Sequence, residues 1–568
     1  MAAAQVVQAQ GNSCAGLCGS CGADMHFGRP RGYNARALYA LMCASLPSVT
    51  AEGSSDKSAN TTRRAVPAPL RATGPCSIDS PMRRRDLTRM LLACAALPAI
   101  VPRVARAQTC EYEKTPAELA AGANIVDAAR CPGDWRRYGA DPTGAADSTA
   151  AIQAACNANK LAFDASGGTY IVSAQITVPS GVTVRGAGVS ASHITCANGS
   201  TSIFKAAGAN AVVIEKIKFS ITSVSKEAHT APVEFYKSSN CSCTECEMVG
   251  CNWAGVLLHD ATFCTVDHCY FHDFQGAVHD SSDVCIYTNS NSNTVTNNRC
   301  FGGNWHGIMI QDPYNNSLPS NNLVANNSVG LHQAYGIAVY VPTAGDTFNR
   351  VTGNSVENIQ GSVLENNSGA GIYVVGAGAG GTTLANNTIR NCCVQTTQRS
   401  LAPAGIGING ISLTAAPVTV TGNTVQEIRA HDAILIVSSK GSIAVSGNTA
   451  SLPSGNSAGT PIRIEASSNV SVTGNSAERA PDSNGRCIFV YANAISVANI
   501  SVTDNSCSGG SYAQIEFAVA GGGKISDVVC TKNICRGAGA NGNCVRTVGV
   551  ENATVESNQC LTRPANGA

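Results

Sequence analysis

The chain has 568 residues, of which 44% are hydrophobic, 5% aromatic and 13% charged, with 56 Gly and 26 Cys. This composition supports a folded protein and excludes a largely disordered one. Of the 38 basic and 37 acidic residues, the first 107 positions hold 13 and 5, so the rest of the chain is acidic. An acidic body argues against nucleic-acid binding, which needs clustered cations. No uncharged stretch reaches the roughly 20 apolar residues of a membrane-spanning helix.

An export signal is expected near the start of the chain. A cationic stretch beginning at Met82 leads into a short apolar run from Met90 to Val101, and small residues follow at Ala105 and Ala107. This order is typical of a signal peptide that is cleaved after Ala107.

The cationic stretch contains Arg84-Arg85-Asp86-Leu87, which resembles the twin-arginine export motif. Because an internal signal peptide makes little sense, we expect translation to start at Met82 and residues 1–81 to be a mis-assigned or disordered leader. We predict a signal peptide over 82–107, an N-terminal segment over 108–134, and a bacterial protein that is periplasmic or secreted.

A short phrase recurs ten times in the second half of the chain: a β-branched pair, a small polar residue, Gly or Asn, then Asn. The last residues of the ten copies are Asn298, Asn327, Asn354, Asn387, Asn423, Asn448, Asn475, Asn505, Asn533 and Asn558. A second short apolar strand follows in each period, often opening on Gly, as at Gly307, Gly336 and Gly371. Strands this short cannot bury their apolar faces alone, so they must stack on copies of themselves.

This repeat predicts an all-β fold: a single-stranded right-handed parallel β-helix of about 12 coils over residues 135–568. The blades of a β-propeller need about 40 residues or more, whereas the copies here are 25 to 36 residues apart. The recurring Asn tolerates a left-handed turn, and its amide can bond the Asn one coil away. The same spacing extends the ladder upstream to Cys269, Cys246 and Ile217.

Three segments open this region: Trp135-Arg-Arg-Tyr-Gly-Ala-Asp-Pro-Thr-Gly-Ala-Ala-Asp147, Gly167-Gly-Thr-Tyr-Ile-Val, and Pro179-Ser-Gly-Val-Thr-Val-Arg-Gly-Ala-Gly188. Together they resemble the start of the pectate-lyase-like right-handed β-helix superfamily. That superfamily includes pectate and alginate lyases, polygalacturonases, mannuronan epimerases and phage tailspikes. The resemblance therefore implies a polysaccharide partner, which could be a polyuronate, more firmly than any one reaction.

A short capping helix is expected between the first two of these segments. Asp147 or Ser148 can cap its N-terminus, and Ile152, Ala155 and Cys156 fall on one face. That face suits a helix that covers the first coil of a solenoid.

Candidate catalytic residues concentrate in a few coils. Seven of the ten histidines lie between His229 and His332, and the same window repeats Gly-started strands that end in acid: GVLLHD, GAVHD and GIMIQD. If the glycines align, Asp260, Asp280 or Asp283, and Asp312 project from equivalent places on three successive coils. We predict an acidic stripe there.

Such a stripe permits several kinds of chemistry. Carboxylates one coil apart would lie about 5 Å from each other and those two coils apart about 9.6 Å, near the separations of retaining and inverting glycosidases. Close stacking also raises the pKa of one carboxyl, as a general acid requires. Asp260, Asp280 and Asp312 could equally bind Ca²⁺.

Lyases and epimerases instead need a base and an acid. His279 or His306 could be the base and Tyr314 the acid. Asp312-Pro313-Tyr314 resembles the Asp-Pro-His segment of mannuronan epimerases, with Tyr314 in place of His. Further candidates for substrate binding are His259, Arg299, Tyr335 and Tyr340. The alternatives are that these polar side chains only solvate turns and that the tyrosines only pack at the edge of the core.

A run of cysteines, Cys241-x-Cys243-x2-Cys246-x4-Cys251, has spacing that resembles a metal site. Because Cys246 falls at the ladder position, stacking or disulfide formation between coils explains the run better. The whole sequence thus predicts an exported polysaccharide lyase or glycoside hydrolase, with a uronan C5-epimerase or a non-catalytic carbohydrate-binding or surface protein as alternatives.

Overall fold

Three parallel β-sheets form the body of the protein, and successive strands enter them in turn. The computed structural model describes residues 111–196, 201–221, 230–251, 253–274, 281–303, 305–361, 369–393, 404–429, 431–456, 458–480, 485–509, 512–537 and 543–561. Each strand pairs in parallel with the strands three before and three after it. One coil therefore gives one strand to each sheet, which confirms the predicted parallel β-helix. The expected leader and signal peptide lie outside the described residues.

We name the sheets A, B and C and number the coils in chain order. Sheet A comprises Leu161–Phe163, Thr183–Arg185, Val213–Glu215, Ser242–Thr244, Thr265–Asp267, Thr294–Thr296, Leu323–Ala325, Arg350–Thr352, Thr383–Ala385, Val418–Thr421, Ile443–Ser446, Val470–Thr473, Val497–Thr503, Ile525–Thr531 and Val550–Glu556. Sheet B comprises Gly168–Val172, Ser192–Cys196, Lys218–Ile221, Glu247–Val249, Tyr270–His272, Arg299–Phe301, Ser328–Gly330, Ser355–Glu357, Thr388–Arg390, Thr424–Gln426, Thr449–Leu452, Ser476–Arg479, Ser506–Ser508, Ile534–Arg536 and Gln559–Leu561. Sheet C comprises Ile176–Thr177, Phe204–Ala207, Val233–Tyr236, Ala254–His259, Ser282–Tyr287, His306–Gln311, Tyr335–Tyr340, Ala370–Val375, Ala404–Asn409, Asp432–Val437, Ile462–Glu465, Ile488–Asn493, Ala513–Ala520 and Asn543–Val548.

The predicted asparagine ladder runs down the turn between sheets A and B. Asn354 is typical: its Nδ2 donates to Asn387 Oδ1 at 3.0 Å and to the Val324 carbonyl at 3.0 Å. Its backbone N–H also donates to Asn387 Oδ1, at 3.0 Å. The same bonds link every step from Asn298 to Asn558. A row of buried amides is thus satisfied by copies of itself.

We expected the ladder Asn to adopt the left-handed conformation in this turn, but the residue before it does so instead. This preceding position has a φ near +60° at Asn326, Gly353 and Asn386, and a lysine takes it at Lys532. Gly and Asn dominate the position because they adopt that conformation at least cost. The recurring pair therefore divides two tasks: the first residue bends the chain and the second bonds the neighbouring coil.

A second, shorter ladder lies in the turn between sheets C and A and was not predicted. Asn293 Nδ2 donates to Asn322 Oδ1 at 3.0 Å, and Asn322 Nδ2 donates to Asn349 Oδ1 at 3.1 Å. Upstream, cysteines replace asparagine in both ladders. The backbone N–H of Cys264 donates to Asn293 Oδ1, and that of Cys269 donates to Asn298 Oδ1.

The cysteine run of coils 4 and 5 packs inside the solenoid, as buried side chains with free thiols. Burial raises the pKa of Cys251. Among the described residues, the disulfide is formed by Cys535 and Cys544, nine positions apart in the chain. Stacking therefore accounts for Cys241, Cys246 and their neighbours.

The N-terminal end is closed by short helices: Pro116–Ala120, the 3₁₀ helix Trp135–Tyr138, and the predicted capping helix Thr149–Ala158. In the capping helix, Ile152 and Ala155 are fully buried. Within the described residues, no helix is long and apolar enough to cross a membrane.

Of the two candidate caps, Asp147 bonds the first N–H of that helix, whereas Ser148 stands at the N-cap position without a side-chain bond to the helix. Ser148 is the N-cap residue, and its hydroxyl accepts a hydrogen bond from the Asp141 N–H. The Asp147 carboxylate accepts the N–H of Thr149 at 3.0 Å.

We predict that Asn387→Ala destabilises the fold by about 3 kcal/mol. The substitution removes the acceptor for the Asn354 backbone N–H and Nδ2, and the Nδ2 donor to the Val351 carbonyl and the Asn423 amide oxygen, all inside the solenoid. Urea denaturation measures the loss in free energy of unfolding. Asn124→Ala, at an exposed site in the N-terminal segment, is the control, and an equal effect of the two changes contradicts the prediction.

Candidate functional site

The acidic stripe predicted from the aligned glycines does not form. The coil 5 strand of sheet C begins at Ser282, which pairs with Ala254 and His306. Asp283 therefore stands level with Gly255, not with Asp260. The expectation that Asp283 is equivalent to Asp260 and Asp312 is wrong, because backbone pairing sets the register and places Thr288 at that level.

Asp283 lies inside the protein instead. It is fully buried, and its Oδ2 lies 3.0 Å from Nε2 of His332, which is also fully buried. Burial raises the pKa of Asp283, and the neighbouring His332 opposes this shift. The pair has no exposed surface at which to meet a polysaccharide.

Asp312 is buried as well and organises a turn. Its carboxylate accepts hydrogen bonds from the hydroxyls of Ser317, at 2.6 Å, and Thr343. Burial opposes ionisation of Asp312, but these hydroxyls lower its pKa below the ordinary value. A carboxyl held ionised in this way is a poor general acid.

Asp260 and Asp312 occupy equivalent positions two coils apart, with Thr288 between them. The Thr288 hydroxyl donates to Asp260 Oδ1 at 2.6 Å. Among the described residues, no group of three His, Cys, Asp or Glu side chains could hold a metal ion. The predicted Ca²⁺ site is thus not assembled from these two aspartates, and Asp280 and His279 lie outside the described residues.

His306 and Tyr335 stack on each other, 5.1 Å apart between ring centroids and nearly parallel. Tyr335 stacks in turn on Tyr373 at 4.7 Å. His306 is only 2% exposed, and burial, with a smaller contribution from the nearby His332, lowers its pKa to about 3. His306 thus serves as a neutral packing residue.

Arg299 and Tyr340 lie apart from these rings. The Arg299 guanidinium belongs to sheet B and lies over the rings of Tyr270, at 4.9 Å, and Phe301, at 5.8 Å. Tyr340 is 41% exposed at the end of its sheet C strand in coil 7.

A cleft of about 520 Å³ opens on the outer face of sheet C. Residues of the first six coils line it: Gln175, Thr201, Ser202, Lys205, Thr230, Glu234, Tyr236, Leu257, His259, Tyr287 and Tyr314. The register explains how they meet, since Lys205 pairs with Glu234, and His259 pairs with both Tyr236 and Tyr287. Of the predicted site residues, the cleft brings together His259 and Tyr314, with Asp260 at its edge.

Charged groups define one side of this cleft. Lys205 Nζ lies 2.9 Å from Glu234 Oε1, and the Ser202 hydroxyl donates to Glu234 Oε2 at 2.7 Å. The ammonium groups of Lys205 and Lys237 lie 4.7 and 5.1 Å from the centre of the Tyr236 ring. Two cations thus flank one tyrosine.

His259 stands at the centre of the cleft. The edges of Tyr236 and Tyr287 hold its ring on two sides, with centroids at 4.8 and 5.1 Å. Its two ring nitrogens each lie 4.0 Å from a carboxylate oxygen, of Glu234 and of Asp260. Burial lowers the pKa of His259 and outweighs those carboxylates. A neutral imidazole that is 27% exposed can accept a proton from a bound molecule.

A tyrosine pair faces this imidazole. The Tyr287 hydroxyl donates to the Tyr314 hydroxyl at 3.1 Å. Tyr314 is 59% exposed, so its own hydroxyl proton points toward solvent or a ligand. The cleft therefore combines a proton acceptor, a proton donor, aromatic faces and the Lys205–Glu234 ion pair, with Lys237 beside Tyr236.

Sequence reasoning missed Lys205, Glu234, Tyr236 and Tyr287. Lys205 and Glu234 lie upstream of the Gly-started strands that drew attention to the acidic window. Backbone pairing places Tyr236, His259 and Tyr287 at the same level in three successive strands. An alignment of the Gly-started motifs does not bring them together.

We predict that His306 makes the fold sensitive to acid. Its pKa is about 3 in the folded state against an ordinary value near 6.5, so protonation favours the unfolded chain and stability falls as the pH drops below about 6.5. The loss between pH 6.5 and pH 4.5 should be about 2 to 3 kcal/mol and should disappear in His306→Phe, which keeps a ring on Tyr335. The exposed His268→Asn serves as the control, and a pH profile left unchanged by His306→Phe contradicts the prediction.

Residues 204–400 match the family model described as "Right handed beta helix region". None of the curated proteins matches the chain. Similar solved structures include the A-module of the mannuronan C-5 epimerase AlgE6 of Azotobacter vinelandii, which is 14% identical, with a TM-score of 0.38 over 76% of this chain and 99% of that one.

Two further solved structures are similar. The tailspike protein of E. coli bacteriophage HK620, in complex with pentasaccharide, is 15% identical, with a TM-score of 0.46 over 74% of this chain and 79% of that one. PfbA, a surface adhesin of Streptococcus pneumoniae, is 14% identical, with a TM-score of 0.36 over 75% of this chain and 93% of that one. The family model over residues 204–400 and the three parallel sheets agree that the chain folds as a right-handed parallel β-helix.

Proposed function

We propose that this protein is a polysaccharide lyase that cleaves a polyuronate in the His259 cleft. The observation that carries the proposal is the neutral, partly exposed imidazole of His259, held between two tyrosines and close to Lys205. A proton next to a uronate carboxylate becomes removable when a base reaches it and cations neutralise the carboxylate. In this proposal His259 is the base, and Lys205 and the neighbouring Lys237 are the cations.

The elimination can be assigned to individual groups. His259 takes the C5 proton of the sugar, the C4–O bond to the next sugar breaks, and a C4–C5 double bond forms. Tyr314 gives its hydroxyl proton to the leaving oxygen, the Tyr287 hydroxyl stabilises the resulting phenolate along their 3.1 Å hydrogen bond, and the exposed Tyr314 regains a proton from solvent, to which His259 releases the C5 proton. Lys205 and Lys237 lie where the sugar carboxylate can be paired, and the face of Tyr236 can pack on a sugar ring.

Hydrolysis is less well supported. A glycosidase needs one carboxyl with a raised pKa as general acid and a second carboxylate as nucleophile or base. Hydrogen bonds from Thr288 and Asn289 outweigh burial and hold the pKa of Asp260 below its ordinary value. Glu234 is engaged by Lys205 and Ser202. The carboxylates of Asp260 and Glu234 are therefore suited to binding and charge balance rather than to acid catalysis.

We predict that His259→Asn lowers the rate of cleavage at least 100-fold and that Tyr314→Phe lowers it at least ten-fold, since each loses a proton-transfer group. Polygalacturonate and alginate are the substrates, and unsaturated products that absorb ultraviolet light are the readout. His272→Asn, on sheet B and beside Glu247 and Asp273, is the matched control. For the wild type, kcat/KM should rise as His259 loses its proton, with a midpoint below pH 6.5.

The products separate the candidate functions. New reducing ends without unsaturation would mean hydrolysis, and a changed uronate composition without cleavage would mean C5 epimerisation. Binding with neither product would mean a non-catalytic carbohydrate-binding protein. Full activity in His259→Asn would overturn the assignment of the base.

We also propose that the protein acts outside the cytoplasm, on the basis of the signal-like segment over 82–107. The mature protein recovered from a bacterial host should then begin at Gln108, which N-terminal sequencing determines. A different first residue, or protein retained in the cytoplasm, contradicts this proposal.

A further inference from the structure

A second cluster on sheet C lies far from the His259 cleft. Three arginines and two aromatic rings alternate there in one stack: Arg463, Phe489, Arg486, Tyr512 and Arg546. The successive distances from guanidinium carbon to ring centroid are 5.5, 4.5, 5.1 and 5.2 Å. We call this cluster the arginine–aromatic stack; it spans coils 11 to 14.

The stack and the cleft face the same side of the solenoid. A single row of paired positions in sheet C joins Lys205 and Glu234 in the cleft to Arg463, Phe489 and Arg546 in the stack. His259 belongs to coil 4 and the stack centres on coil 13. At about 4.8 Å per coil the two are about 40 Å apart along the axis.

Two glutamates hold the arginines in place. Glu516 is only 1% exposed and contacts both Arg486 and Arg546. Glu465 lies 2.6 Å from Arg463. Three arginines against two glutamates leave one positive charge in excess on this surface.

The outer end of the stack is accessible to a ligand. The side chains of Arg486 and Arg546 are 32% and 37% exposed, and Tyr512 is 40% exposed. A guanidinium presents five N–H donors in a planar fork that matches a carboxylate. Because the aromatic rings and Glu516 already fix these arginines, little side-chain entropy is lost when a ligand binds.

We propose that the arginine–aromatic stack is a second binding site for the same acidic polysaccharide, which it holds by the sugar carboxylates. This inference rests on the proposed function for the choice of a polyuronate. It implies that one long chain can occupy the cleft and the stack together, so that long chains bind more tightly than short ones.

The test measures binding of the full chain to long polygalacturonate and turnover of trigalacturonate, which is too short to span the two sites. Arg546→Ala keeps Arg486 as a partner for Glu516, and Tyr512→Ala removes an exposed ring without changing the charge. Each should weaken binding of the long polymer roughly five-fold or more and leave trimer turnover unchanged. Arg390→Ala, an exposed arginine paired with Glu427 on sheet B, is the matched control and should bind as the wild type does.

Several outcomes overturn the inference. These are unchanged long-chain binding in both variants, an equal loss in Arg390→Ala, or equally tight binding of neutral dextran. Thermal unfolding of each variant shows whether it has folded. The two proposals fail separately: if the wild type forms no unsaturated product but binds polygalacturonate through Arg546, the lyase assignment falls and the second site stands.

Discussion

The structure depends on the backbone pairing of each coil with the next, about 4.8 Å away. That spacing matches the reach of one side-chain amide to its copy, so an Asn placed in the same turn of every coil is fully bonded while buried. A single such amide inside an apolar core would be costly. A continuous row satisfies every member except at its ends, so each added coil reinforces the ones before it.

The ladders separate the regular part of the coil from the variable part. In the turn between sheets A and B, each coil keeps a residue with left-handed backbone followed by a buried ladder residue. The connection between sheets B and C changes length, from Ile221 to Val233 in one coil and from Phe301 to His306 in another. The His259 cleft lies on sheet C, whose strands follow this variable connection, so neighbouring coils can carry different side chains there over an unchanged core.

The difference between residues that recur in every coil and residues that do not explains how much of the fold and of the candidate site could be predicted. The period, the solenoid, the first ladder and the capping helix follow from residues that recur, such as Asn298 and Asn327, or from one amphipathic stretch around Ile152. The candidate site was predicted only in part, with His259 and Tyr314, because its members do not recur and are aligned by strand register. Asp283 shows the limit: a Gly-started motif placed it beside Asp260, whereas the pairing of Ser282 with Ala254 turned it into the core.

The independence of each turn has a consequence for how such a molecule changes in size. Since a coil contributes its own bend, its own buried amide and one strand to every sheet, a whole coil can be duplicated or deleted by recombination without altering the residues above or below it. The distance along the axis between any two surface features would then change in steps of a single coil.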